Sequence, residues 1–274
     1  MSKTQGYLFI TLGKEYIDEC TYLVNTMRKN GDNRPVTLWI HAQDEEYARA
    51  LNMFDGFIHF DNSLDNKIWQ ECQTSFEKYC LYPRLFFDKV LPYDETIITD
   101  TDMLCQYSTE SMWDKLHKQK LNVRMLGRKY DYKWHWGTIL EVSKAYGKHV
   151  SHVHGGFFYL RRSDFTNKFF TYCREVFFKY DQYKCKRAFR GGRVDEIIFA
   201  ISHSHFDLAP IEFDDIPIMT FNYSKNIKIP SKLQTEGNQN EELSDYIPFV
   251  HMFDKSVGIK FRNLYGKIMN YEKV

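Results

Sequence analysis

Long hydrophobic runs are missing from this 274-residue chain, and so is any surplus of charge. The apolar stretch nearest the start, in MSKTQGYLFITLGKEY, spans only about five residues, too short for a signal-peptide core or a membrane span. Export and membrane insertion are therefore not expected. With 37 basic and 36 acidic residues the net charge is +1, so no global field draws the protein to nucleic acid or to an anionic membrane. The six cysteines, Cys20, Cys72, Cys80, Cys105, Cys173 and Cys185, lack paired CxxC spacing. They read as reduced, buried thiols in a cytoplasmic protein, not as a zinc site or a disulfide framework. Neither an internal repeat nor a low-complexity tract is present. What the chain does have is 43% hydrophobic and 17% aromatic content, ample for the core of one domain over 1–274.

The first hundred residues alternate between two periods. Tyr7 to Thr11 and Val36 to Ile40 are short apolar, β-rich runs, and Gly56 to Phe60 supplies a third. Between them, Tyr16 to Arg28 and Glu45 to Met53 carry apolar residues at helical spacing. Ile68 to Val90 reads as largely helical, with Pro83 opening a new helix, and leads to a fourth strand at Thr96 to Thr99. Continuous apolar strands separated by helices predict a mostly parallel sheet covered on both faces, with residues 1–105 forming a nucleotide-binding half. Beyond 105 the pattern is less regular. Val153 to Leu160 reads as a strand, Phe165 to Tyr180 and Asp195 to Ser202 as helices, and 211–246 as short strand signals followed by a polar loop.

The fourth strand ends in two acids, Asp100 and Asp102, separated by Thr101. In an open α/β sheet, ligands sit at the carboxyl ends of the strands, where this pair lies. Two desolvated carboxylates so close repel unless a cation offsets them or one takes up a proton. Hard Mg²⁺ or Mn²⁺ prefers oxygen ligands and shares carboxylates with a substrate's phosphates. The alternative is a solvated turn in which one aspartate caps the next helix.

The segment YPRLFFDKVLPYDETIITDTDML resembles the signature of GT-A-fold glycosyltransferases, in particular the family of glycogenin and the bacterial lipopolysaccharide galactosyltransferases. The matching residues are Arg84, Leu91, Pro92, Ile97, Ile98, Asp100 and Asp102. Further collinear matches are Thr11 and Tyr16 in FITLGKEY, Gly155 and Gly156 in HGGFFYLRRSDF, Asp195 and Glu196 in GRVDEIIFAI, and His251, Gly258 and Lys260 in HMFDKSVGIKF. The chain departs from that family in three places. His154 stands where an asparagine is usual, the spacing from His251 to Gly258 is longer, and no tryptophan follows Lys260.

The resemblance implies an α/β fold, a GT-A-like mixed sheet flanked by helices, in a single domain with an elaborated acceptor-side half at 106–274. It also implies a metal-dependent transferase that moves a sugar from a nucleotide-diphosphate donor, typically a UDP-sugar, to an acceptor hydroxyl with retention. Asp100, Asp102 and His251 would hold Mn²⁺ or Mg²⁺. Thr11, Tyr16, Arg84, Thr101, Gly155, Gly156, Gly258 and Lys260 would contact the donor, and Asp195 or Glu196 would act at the sugar.

Each residue also has a plainer explanation. His251 and Tyr16 could be core residues, Arg84 could pair with Asp88 one helical turn on, and Asp195 could serve a helix N-terminus. Two segments, 128–136 and 177–193, interleave rings with basic residues, among them Lys184, Lys186, Arg187, Arg190 and Arg193. Such mixtures suit sugar platforms, a solvated face or a nucleic-acid strand. Three functions stay open: transfer to a glycan, lipid-linked or small-molecule acceptor; transfer to a modified base in nucleic acid; and nucleotide-sugar binding without turnover.

Overall fold

The computed structural model describes residues 4–129, 133–134, 137–187, 191–212, 216, 218–221, 248–251, 265–266 and 268–270. In the first half, β1 (Gln5–Thr11), α1 (Lys14–Lys29), β2 (Val36–Ile40), α2 (Glu45–Ala50) and β3 (Gly56–His59) follow one another as expected. The stretch expected to be largely helical, with a new helix opened by Pro83, is helical in four pieces, α3 (Asn66–Glu71), a π-helical turn (Glu77–Leu81), α4 (Tyr82–Arg84) and α5 (Phe87–Val90), with a further break after Glu71. The break has a physical cause. Cys72 is extended, and the buried Glu77 carboxylate accepts from the Gln73 and Thr74 amides (2.6 and 3.3 Å), holding the chain in a tight turn. Pro83 does sit in the first turn of α4, where its missing N–H costs nothing.

Then come β4 (Glu95–Thr99), β5 (Met103–Cys105), α6 (Glu110–Lys118), β6 (Val123–Arg128), β7 (Lys133–Trp134), β8 (Gly137–Thr138) and α7 (Ile139–Tyr146). The chain continues through β9 (His152–Arg161), α8 (Asp164–Phe178), α9 (Asp195–His205), β10 (Ile211–Glu212), β11 (Met219–Phe221) and β12 (Phe249–His251). Seven strands form one sheet in the order β10-β6-β9-β4-β1-β2-β3. β1 to β4 run parallel, whereas β9 is antiparallel to both β4 and β6, so the sheet is mixed. Both chain halves contribute strands to it.

Alternation along the central strands builds two cores. Tyr7, Phe9, Ile97, Phe157 and Tyr159 face α1, α2 and α6, while Leu8, Ile98, Phe158 and Leu160 face the opposite layer with α8 and α9. α9 is buried from Asp195 through Ser204, so its polar residues need internal partners or a function.

His203 on α9 has a consequence for stability. It is fully buried with its ring edge-on to Phe169, and burial, reinforced by the charge of Arg124, pushes its pKa down from 6.5 to about 3. Between these values the unfolded chain binds a proton that the folded chain refuses. Stability is therefore intact above pH ~6.5 and falls as the pH drops toward ~3, by about 1.4 kcal/mol per unit. Urea titrations at pH 7 and pH 5 should show His203 contributing ~2 kcal/mol of loss. A His203→Leu variant should lack that component, and an equal loss in the variant would assign it elsewhere.

Candidate active site

The carboxyl ends of β1 and β4 open onto a cleft of about 780 Å³, within the range of small-molecule sites. Asp100 follows β4 directly, and its amide donates to the Gly156 carbonyl at 3.3 Å, carrying the β4–β9 pairing one residue past Thr99 and Phe157. A second, three-stranded sheet, β11-β12-β5, brings in the C-terminal histidine, with β12 antiparallel to β5 so that His251 lies opposite Met103, the residue after Asp102. His251 Nε2 is thereby 3.1 Å from Asp102 Oδ1 and 3.7 Å from Asp100 Oδ2.

One ligand atom from each of Asp100, Asp102 and His251 fits within a 4.8 Å cluster. Two carboxylates and an imidazole are a suitable donor set for Mn²⁺ or Mg²⁺. The electrostatics agree. Burial raises the Asp100 pKa, with Arg84 opposing and Asp102 adding to the rise. Burial would lower that of His251, but its bond to Asp102 and the two aspartate charges raise it overall. These groups together favour an added positive charge.

Arg84 is the organising cation. Its guanidinium donates to Asp100 Oδ1 at 2.5 Å and, through its other nitrogen, to Asp195 Oδ2. The alternative pairing with Asp88 is not found: Asp88 is taken by Arg174, 86 residues away in sequence, at 2.8 Å. Asp195 does lie in the first turn of α9, where a negative charge suits the helix N-terminus, though its side chain makes no cap hydrogen bond. Val194 is the N-cap residue, and the Asp195 side chain turns to Arg84. The start of α9 is fixed by Arg193, whose amide and guanidinium both donate to the buried Glu77 Oε1 at 2.9 Å. The π-helical turn is thus tied to the helix carrying Asp195 and Glu196.

Gly155 and Gly156 floor the cleft. A Cβ on Gly155 would lie 2.7 Å from Asp195 Oδ2 and 2.8 Å from Arg84 Nη1, and one on Gly156 would lie 2.8 Å from Asp100 Oδ2. Glycine at these positions leaves the Arg84, Asp195 and Asp100 side-chain ends where they are, and a Cβ would force them to move; backbone conformation does not call for it. Gly155→Ala should displace the Arg84–Asp195 bridge and slow any reaction carried out in this cleft by up to about 100-fold, since a shift of about 1 Å can cost that much. Steady-state kinetics on the variant, with circular dichroism as the control for folding, check this; undiminished turnover would contradict the crowding.

Tyr16, in the first turn of α1 after Gly13, lines the cleft, as do Ile10 and Leu12. Thr11 between them does not: strand alternation turns its side chain to the opposite face, where it is fully buried. Thr101 reaches α1, its hydroxyl donating to Glu19 at 3.1 Å. Gly258 and Lys260 lie outside the described residues. Sequence reasoning did not single out Glu19, Phe76, Tyr79 or, as a site residue, His154, all of which line the cleft. The only signal for them was position, near Tyr16, near Arg84 or before the glycine pair.

The basic segment 177–193 is partly neutralised. Arg187 is bound to Asp181 at 2.7 Å and Arg193 to Glu77, while Lys184 and Lys186 are exposed and Arg190 is outside the described residues. No helix among the described residues is long and apolar enough to cross a membrane.

No protein-family model matches the chain, and no curated protein matches its sequence. Solved structures do match it. The apo form of mouse xyloside xylosyltransferase 1 is 12% identical with a TM-score of 0.58, covering 91% of this chain and 98% of that one. Galactosyltransferase LgtC, in complex with donor and acceptor sugar analogues, is 10% identical with a TM-score of 0.58, covering 98% of both chains. The bifunctional glycosyltransferase WbbM, in its apo structure, is 11% identical with a TM-score of 0.61, covering 98% of this chain and 50% of that one. A mixed seven-stranded sheet with helices on both faces, shared over nearly the whole chain with these enzymes, is the GT-A glycosyltransferase fold.

Proposed function

We propose that this chain is a metal-dependent glycosyltransferase that takes a sugar from a nucleotide-diphosphate donor and passes it, with retention, to a hydroxyl of a glycan, lipid-linked or small-molecule acceptor. One observation carries this reading. Among the described residues lining the cleft, Glu15, Glu19, Asp100, Asp102, Asp195 and Glu196 are acidic, and Arg84 alone is a lysine or arginine. Six acids against one arginine repel an anionic diphosphate unless a further cation offsets them, and three of the side chains at the cleft make a divalent-ion donor set.

Asp100, Asp102 and His251 would hold Mn²⁺ or Mg²⁺. When bound, the ion supplies Lewis-acid charge for a diphosphate leaving group. The remaining roles belong to the chain's own groups. Arg84 fixes Asp100 and Asp195 in place, and its planar fork suits a phosphate or sugar oxygen as well. Gly155 and Gly156 keep the floor low enough for a sugar ring to approach backbone. Asp195 and Glu196 present carboxylates toward the positive charge that develops on a sugar as its bond to phosphate breaks. Tyr16 offers a ring face to the base, Thr11 contributes through the β1 backbone, and Thr101 ties the acidic pair to α1. Gly258 and Lys260 are assigned to the diphosphate by their sequence motif alone.

Residues 1–105 serve as the nucleotide half and 106–274 as the acceptor side. All six cysteines are free, which fits a reducing cytoplasmic setting. The test is turnover of UDP-sugars with and without Mn²⁺, with product anomers assigned by NMR. Release of UDP only with the ion, and transfer with retention, is the expected result. Binding without hydrolysis or transfer would reduce the protein to a nucleotide-sugar-binding module.

A further inference from the structure

The segment 77–84 meets the start of α9 at two points, with opposite senses of charge. In the cleft Arg84 donates to Asp195, and outside it Arg193 donates to Glu77. Neither Glu77 nor Arg193 lines the cleft, and both are closed to solvent, Glu77 being fully buried and the Arg193 side chain only 8% exposed. Both Glu77 oxygens are committed: Oε2 accepts from the Gln73 and Thr74 amides of its own turn, and Oε1 from the amide and the guanidinium of Arg193, each at 2.9 Å. Arg193 Nη1 also donates to the Glu71 carbonyl at 3.2 Å, and the guanidinium lies over the Phe177 ring, 4.3 Å from its centroid. α3, the π-helical turn and α8 therefore all hold it. The next amide, that of Val194, donates to the buried Tyr180 hydroxyl at 3.0 Å. α9 has no side-chain cap hydrogen bond of its own. Glu77 and Tyr180 thus fix the two residues that lead into the helix, and Asp195 follows at once.

We propose that Glu77 and Arg193 are positioning residues, a pair outside the cleft that holds Asp195 at reacting distance whatever Arg84 is bound to. The inference rests on the proposed function. Arg84 is not a constant anchor: its side chain is 13% exposed, lines the cleft and is shared between Asp195 and Asp100, so a phosphate or sugar oxygen entering there competes for it. No ligand in the cleft competes for Arg193. Replacing a buried ion pair by apolar side chains is often neutral for stability, so stability alone does not call for this one. What it adds is a single geometry at the entry to α9. That geometry has a kinetic consequence, because a reacting group displaced by about 1 Å can lose about 100-fold in rate.

The experiment has two arms. Crystal structures of free wild type and free Arg193→Met come first: methionine keeps the backbone amide but not the charge, and the Asp195 carboxylate should shift by about 1 Å or more and leave Arg84. An Asp195 that stays on Arg84 in the variant overturns the proposal, whatever the enzyme turns over. Next, kcat and KM are measured for UDP-glucose and UDP-galactose with Mn²⁺, well below each variant's melting temperature. Arg193→Met should lower kcat by about 10–100-fold while the donor KM changes by less than about threefold, since other residues hold the ion and the nucleotide. Arg193→Lys, whose ammonium reaches Glu77 without the second nitrogen, should recover kcat to within about fivefold of wild type. Where Arg193→Met does not fold, Glu77→Gln replaces it in both arms; it keeps the shape and an acceptor for the Arg193 amide, and the same shift and the same fall in kcat are expected. A pair that only supports the fold predicts a lower melting temperature with unchanged kcat, and that result overturns the proposal. Absence of turnover of either donor by wild type counts against the assigned reaction for these donors; an Asp195 that still shifts in the variant crystal then places the failure in the reaction and not in the pair's hold on Asp195.

Discussion

Asp102→Asn is expected to yield a folded protein in which the proposed turnover of nucleotide sugars is reduced by about 1,000-fold or more. The figure follows from removing one of two carboxylates at a site where charge stabilisation is worth several kcal/mol, at about 1.4 kcal/mol per decade. Folding should survive because Asp102 lies after β4, outside both main cores, and is partly exposed. His251, the group nearest to it, keeps Asp100 at 3.7 Å. Two assays separate the outcomes: UDP release against Mn²⁺ concentration, and thermal unfolding of the metal-free protein. Wild-type turnover in the variant would remove Asp102 from the site, whereas turnover recovered only at high Mn²⁺ would place its role in holding the ion.

Arg84→Ala should be the most destabilising single change in the cleft. It leaves Asp195, whose side chain is 5% exposed, and the partly exposed Asp100 without their common cation. Breaking such a pair typically costs about 3–5 kcal/mol, because the charges left behind remain desolvated. For a domain of this size that corresponds to a melting temperature lower by roughly 6–20 °C. Adding Asp195→Asn to Arg84→Ala should recover part of the loss, since the abandoned charge is then gone. The four proteins form a double-mutant cycle read by thermal and urea unfolding. Strictly additive effects would contradict a direct Arg84–Asp195 coupling.

Which parts of this site could be read from the chain, and which could not, has a physical explanation. The acidic pair was visible because two charges one residue apart, placed where a buried strand ends, call for a cation or a proton, and the spacing of Arg84, Leu91, Pro92 and the strand added order. The five first-half strands and helices followed from apolar period alone, with Val36–Ile40 matching at both ends. Strand direction did not follow: β9 is as apolar as β4, and only the path of the chain makes it antiparallel. Pairing partners were equally hidden. Asp88 at one helical turn was the local choice for Arg84, but tertiary contacts gave Asp88 to Arg174 and gave Arg84 two acids 16 and 111 residues away. The break in the helical region near residue 72 depended on Glu77 and on Arg193, 116 residues further along. His154 was marked only as a departure from a motif, since its chemistry comes from a backbone amide two residues on.

The central claim is that a divalent cation and a nucleotide-diphosphate sugar bind together at Asp100, Asp102 and His251. Thermal unfolding of wild type and Asp102→Asn, each with Mn²⁺, with UDP-sugar and with both, tests it most directly. A ligand bound only by the native state at 100 times its Kd adds about 2.7 kcal/mol, roughly 5–10 °C here. That rise is expected in wild type only when ion and sugar nucleotide are both present, and should be absent from the variant. No combined effect in wild type, or the same rise in Asp102→Asn, would contradict the claim.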